Sequence, residues 1–160
     1  MKRPQLGGKR RKSREFALLG VYQGLIDPEA DFARIDAGIT TVFVEGDEPQ
    51  AGIDLTAEDF ENCDKDFYRE LLAGVLAERG ELTEAWSQHC NILPSRLSMI
   101  ERACLLIGTW ELKHSLELSR RVIINEAVEL SKTFGADKGY KLVNGVLDKV
   151  AADVRPEGAE

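Results

Sequence analysis

The chain of 160 residues is 43% apolar and 31% charged, the composition of an ordinary globular protein. No apolar run approaches the roughly eighteen residues that mark a membrane span. The net charge of -7 argues against a uniformly basic polyanion binder, but the charge is unevenly spread: residues 1–14 carry seven Lys and Arg and no acid, leaving 14 bases against 28 acids in the other 146. A polyanion would be repelled by that body and attracted only locally, so the basic start is either a solubilising arm or a binding element. Cys63, Cys90 and Cys104 are odd in number and far apart, which implies reduced thiols and a cytoplasmic location rather than a disulfide frame. A basic start with no apolar segment behind it is not expected to act as a secretory signal.

Residues 1–8, with Pro4 and the adjacent Gly7 and Gly8, are expected to form a flexible basic N-terminus, and 9–155 a single helical domain. From Lys9, in "KRRKSREFALLGVYQ", the apolar positions Phe16, Leu19, Tyr22 and Ile26 follow a helical period, with Leu18, Val21 and Leu25 beside them. That helix should end near Asp27-Pro28. Arg10 and Arg14 are four apart and share one face, with Arg11 alongside. A helix starting at Lys9 would carry its bases where the macrodipole disfavours them, a cost that the helical pattern alone does not explain.

Residues 27–66 hold thirteen acids and two bases, and 27–63 is the least readable stretch. "ITTVFVEGDEP" has the Thr and Val of a strand, yet it has no second strand to pair with, so helix or irregular linker is an equal reading. From Asp64 the pattern is plainer. Phe67, Leu71, Leu72, Val75 and Leu76 form a helical stripe that Gly80 is placed to interrupt before Trp86. Pro94 sits in a linker, and Ser98 is available as a cap. Residues 99–112 are apolar on almost every side, as a central helix would be. Ser119 to Lys132 predicts another helix stopped by Phe134-Gly135, and Tyr140 to Val150 a last one before Pro156 and a flexible tail at 156–160. The expected fold class is all-α.

Enzyme signatures are weak. There is no glycine-rich phosphate loop, and adjacent His89 and Cys90 make poor metal ligands on a regular element. His114 has the position of a helix-terminal cation. Glu126 and Glu129 with Lys132 read as ordinary helix-face partners. No catalytic residue, metal site or cofactor is expected.

Two motif blocks go further. "SMIERACLLIGTWEL" (98–112) and "VIINEAVELSKTFGADKGYKLVNGVLDKV" (122–150) closely resemble the NusB family of transcription antitermination factors. "FYRELLAGV" (67–75) resembles the family's middle, and Arg14-Glu15 with Tyr22 its first helix. The resemblance covers 9–26 and 64–155. It implies a bundle of two packed helical subbundles that binds the small-subunit ribosomal protein NusE. With NusE it would bind the single-stranded boxA element of ribosomal RNA leader transcripts. With other Nus factors it would make RNA polymerase resistant to termination.

For site residues, the resemblance assigns Arg10, Arg11 and Arg14 to RNA, with Lys9 and Lys12 as supporting charge and helix-terminal amides assisting. Tyr22 would stack on a base or simply pack. Lys141, and with it Lys138, would lie near the RNA path. Glu101 would face the ribosomal protein, and Arg102 and Arg121 are weaker candidates for either ligand. Asn125, Glu126, Asn144 and Asp148 are motif residues expected mainly to cap helices and bridge them by hydrogen bonds. Lys138 departs from the acid or small polar residue frequent in relatives, and Leu142 from a phenylalanine. The first would strengthen phosphate attraction, and the second removes a stacking ring. Both a monomer and a homodimer fit the resemblance.

Other readings are the NusB-like RNA-binding domain of a ribosomal RNA methyltransferase, a protein-only scaffold, and a small-subunit assembly protein. The first would need a catalytic domain far longer than the five residues after Arg155.

Overall fold

Helices form every regular element among the described residues of the computed structural model, which are 3–45, 54–136 and 138–155. The chain divides into two compact units, Met1–Leu76 and Ala77–Glu160.

The first unit contains α1 (Arg3–Ile26), α2 (Phe32–Thr40), a π-helical turn (Thr41–Glu45), α3 (Ala57–Asn62) and residues 65–76 of α4 (Lys65–Ser87). Within the stretch that is least readable, residues 32–45 and 57–62 are helical rather than extended, whereas 46–53, like the expected tail at 156–160, lie outside the described residues. Asp31 caps α2 by accepting from the Arg34 amide, and Thr56 and Asp59 close a reciprocal capping box on α3. This stretch supplies half of an aromatic core. Phe16 meets Phe43 and Phe60 edge-on at 5.0 and 4.9 Å, and Phe60 meets Tyr68 at 5.7 Å. The Tyr68 hydroxyl donates to Asp36 at 2.9 Å, and burial, with that bond, pushes the phenol pKa up.

On α1 the buried face is Phe16, Ala17, Leu18 and Val21, whereas Tyr22 is half-buried and Ile26 exposed. The expected stripe through Leu19, Tyr22 and Ile26 is thus turned toward its neighbours at 18 and 21. Gly20 lets α1 approach α4, since a Cβ there would come within 2.7 Å of a Leu72 methyl. The helix also starts at Arg3, six residues before the expected start. Pro4 lies in its first turn, where the missing N–H costs nothing.

The second unit is built on α5 (Met99–His114), flanked by α6 (Arg120–Phe134) and α7 (Gly139–Val154). Residues 103–112 are buried without interruption, as the all-round apolar pattern requires. Ser98 and Ser119 accept the amides of Glu101 and Val122 as caps. At Gly108 a Cβ would lie 2.6 Å from a Leu147 methyl and 3.4 Å from Ala127, so α6 and α7 both close on α5 there. Arg155, 4% exposed, locks the end of α5: its guanidinium donates to the carbonyls of Leu112 (2.9 Å), Ser115 (2.8 Å) and Leu118 (2.6 Å). The Ser115 carbonyl also accepts the Leu118 amide at 3.1 Å, whereas those of Leu112 and Leu118 depend on Arg155 for a donor.

Residues 77–87 of α4 belong to this unit. The helix departs from α geometry at Glu78 (φ -112, ψ 15) and not at Gly80. Glu78 lies 2.9 Å from Nε2 of His114 and 3.4 Å from the Lys113 ammonium, so His114 takes the expected helix-terminal position with Glu78 as its partner. His89 pairs with Asp153 at 2.6 Å. No helix among the described residues is long and apolar enough to cross a membrane.

Candidate nucleic-acid interface

Because α1 opens at Arg3, the amides of Lys9 to Arg14 belong to its internal ladder. The expected cooperation of helix-terminal amides with these bases therefore does not occur at this position, and the macrodipole penalty, confined to the first turn, falls away.

What fixes the basic stretch is the start of α4. Asp64 caps that helix through the Phe67 amide (3.0 Å), and its other carboxylate oxygen lies 3.8 Å from Nε of Arg10. The Ser13 hydroxyl lies 2.8 Å from the Asp64 carbonyl oxygen and 3.0 Å from that of Lys9, between which it shares one proton. Two guanidiniums lie over the Phe67 ring, Arg10 at 4.4 Å and Arg14 at 5.0 Å from its centroid. The face shared by Arg10 and Arg14 therefore turns toward the protein. Arg14 is only 3% exposed, while about a third of the Arg10 side chain remains accessible.

Lys9 and Arg11 are exposed. Lys12 is half-exposed, 3.3 Å from Glu15 and 4.0 Å from Asp59. Burial raises the Glu15 pKa, with Lys12 opposing the shift. Tyr22 falls three turns after Arg11 on the same side of α1, about 16 Å along the axis. A cleft beside the stretch is lined by Lys9, Cys63, Asp64, Lys65 and Asp66, and its mixed charge gives it no preference for anions.

The remaining expected residues lie in the second unit. Lys138 and Lys141 are exposed at the start of α7. Lys138 has φ 69, the one positive φ at a non-glycine among the described residues, and Asp137 lies outside them. Glu101 joins this group: its carboxylate occupies the space that a Cβ on Gly139 would need, which sets a negative charge against the N-terminal turn of α7. Arg102 is half-buried on α5, and Arg121 is exposed in the first turn of α6.

The motif residues depart from expectation. Asn125, Asn144 and Asp148 are exposed and, among the described residues, their side chains make no hydrogen bond or ion pair, so they neither cap nor bridge helices. Glu129 pairs with Lys132 at 3.7 Å as expected. Phe67 and Asp64, which organise the basic stretch, were missed as functional residues. The available signal was Arg14 itself, which continues the stripe of Leu18, Val21 and Leu25 at helical spacing.

These features define an all-α protein with a basic helical segment set in an acidic unit. The chain belongs to the NusB family, whose sequence model matches residues 11–152. It is 44% identical over 147 residues to the transcription antitermination protein NusB of Burkholderia lata, covering 92% of this chain and 90% of that one. It is 41% identical over 146 residues to the protein of the same name from Ralstonia pickettii, covering 91% and 84%. Among solved structures, T. maritima NusB superposes with a TM-score of 0.72 at 24% identity, over 98% of this chain and 96% of that one. A crystal structure of antitermination factors NusB and NusE in complex with double-stranded RNA gives 0.68 at 20% identity, over 91% and 97%. These two likenesses establish the shared fold.

Proposed function

We infer that the protein is a cytoplasmic, RNA-binding transcription antitermination factor. In this reading it joins NusE on the single-stranded boxA element of ribosomal RNA leader transcripts, and with other Nus factors renders RNA polymerase resistant to termination. The names of its curated relatives support the antitermination role, and the solved NusB–NusE–RNA complex supports the partner.

The observation that carries the RNA reading is the Lys9 to Arg14 stretch. Lys9, Arg11 and part of Arg10 face outward, and Phe67 and Asp64 hold Arg10 in place. Preorganised cations lose less side-chain freedom on meeting phosphate. In this reading Arg14 is a positioning residue packed on Phe67 rather than a phosphate contact. Lys138 and Lys141 supply a second set of cations, and Glu101 serves the ribosomal partner from beside α7.

The acidic body makes RNA affinity depend on that partner. A titration of labelled boxA RNA, with and without NusE, tests the reading. Much tighter binding with NusE is expected, and equal binding in the two cases would refute the cooperative scheme.

A further inference from the structure

A cleft of about 270 Å³ lies between α6 and α7, lined by Arg120, Arg121, Ile124, Asn125, Asn144 and Asp148. Its size is just below that of drug-sized ligand pockets and suits one nucleotide unit. Arg121 and Asp148 carry opposite charges in the same cleft without forming an ion pair, and the two asparagine amides are unpartnered among the described residues. Ile124, 6% exposed, gives the cleft an apolar floor. This is a set of groups that recognises a ligand with an anion at one end and a hydrogen-bonding planar edge at the other.

The position on α7 points to the ligand. Lys141, Asn144 and Asp148 follow one another at three and four residues and share a face, so the cleft begins one turn beyond Lys141 and ends about 10 Å from it. A single strand passing Lys141 would reach the cleft within a couple of nucleotides.

We propose that the α6–α7 cleft is a nucleotide-binding site for single-stranded RNA, in which the Arg120–Arg121 pair holds a phosphate and Asn125, Asn144 and Asp148 read a base edge. This inference rests on the RNA-binding reading above. Asp148 repels phosphate, which keeps the backbone at the arginine end. As an acceptor it favours a base with an exocyclic amino group, cytosine, adenine or guanine, over uracil.

The test compares a boxA oligonucleotide with versions lengthened by a few nucleotides at either end, all titrated with the ribosomal partner present. Lengthening at the correct end should tighten wild-type binding by about tenfold, as charge-assisted hydrogen bonds of this kind do. The variant R121A/N125A/N144A should lose that increment and keep its affinity for the short RNA. D148N should keep the increment but lose the preference against uracil in the added segment. The substituted residues are exposed, and circular dichroism verifies the fold.

An increment that survives in the triple variant overturns the site. So does wild-type protein that binds short and long RNA equally, and so does a triple variant that loses only a protein partner. If wild type binds neither RNA, the RNA reading itself fails, a result distinct from the others.

Discussion

In the first unit, residues 15–76 hold 15 acids and three bases, whereas residues 77–160 of the second hold 13 acids and 11 bases. The strongest run of positive charge therefore sits on the more acidic unit. There it is held by that unit's own groups: Asp64 and Phe67 hold Arg10, and Glu15 and Asp59 lie against Lys12. In the second unit Arg121, Lys138 and Lys141 stand exposed without such a frame. An acidic setting thus does two things for a basic segment. It orients the side chains, and it confines attraction for a polyanion to one place. In the proposed reading, the near-neutral unit accepts RNA along a longer path and depends on neutral donors and acceptors for selectivity.

The largest expected effect separates the units by stability. Arg155→Ala leaves the carbonyls of Leu112, in the last turn of α5, and Leu118, just beyond it, without donors and should cost about 3 kcal/mol in a denaturant melt. Arg155→Lys should recover only part of this, because one ammonium cannot span the three carbonyls. Equal stability of Arg155→Ala and wild type would show that the second unit does not need this lock.

Next are the two close helix crossings, one in each unit. Gly20→Ala drives a methyl into Leu72, and Gly108→Ala drives one into Leu147; both leucines are fully buried. Each should destabilise by about 1–3 kcal/mol. The two costs should be similar, because Ile35 closes on Gly20 at 3.3 Å much as Ala127 closes on Gly108 at 3.4 Å. A clear difference between them would identify the unit whose crossing yields less readily.

A smaller effect tests the division of labour within the basic stretch. Arg10→Ala with Arg11→Ala should lower the log–log salt slope of RNA binding by roughly 1.4, about 0.7 for each lost phosphate contact. Arg14→Ala should instead reduce thermal stability and leave the slope nearly unchanged, since its side chain is buried on Phe67. A slope change as large for Arg14 as for Arg11 would restore Arg14 to the phosphate contacts.

Legibility followed the range of the interactions. The helices of the second unit were readable because burial repeats locally, as in residues 103–112, and because Ser98, Ser119 and Gly135 mark their ends. Residues 27–63 were not, because Phe43 and Phe60 take their meaning from Phe16 and Tyr68, which lie elsewhere in the chain. Pro4, Gly7 and Gly8 read as breakers although a proline in the first turn is compatible with a helix. The basic stretch was recognised as a unit. Which of its members point outward was not, since Arg10 and Arg14 share a face that is settled only by Phe67 across the unit.

The smallest effect is a pair of carboxylates, one in each unit, whose linkage to pH has opposite sign. Glu15 is 8% exposed; desolvation raises its pKa despite Lys12, so its charged form is penalised in the folded state. That penalty is absent below the ordinary value of 4.5 and develops as pH rises through it toward the raised folded value. Glu15→Gln should therefore stabilise the protein near neutrality, and the gain should vanish in acid. For Glu78, partial burial pushes the pKa up, but the hydrogen bond and charge of His114, with Lys113, outweigh it and lower it. Its stabilisation is present above the ordinary value of 4.5 and is lost as pH falls through the lowered folded value. Glu78→Gln should accordingly destabilise near neutrality, with the deficit closing in acid. Thermal melts of both variants between neutral pH and the carboxylate range check the two signs together. Parallel curves would mean that the carboxylates of the two units do not differ in their environments, and the opposite burial and pairing of Glu15 and Glu78 would then have no energetic consequence.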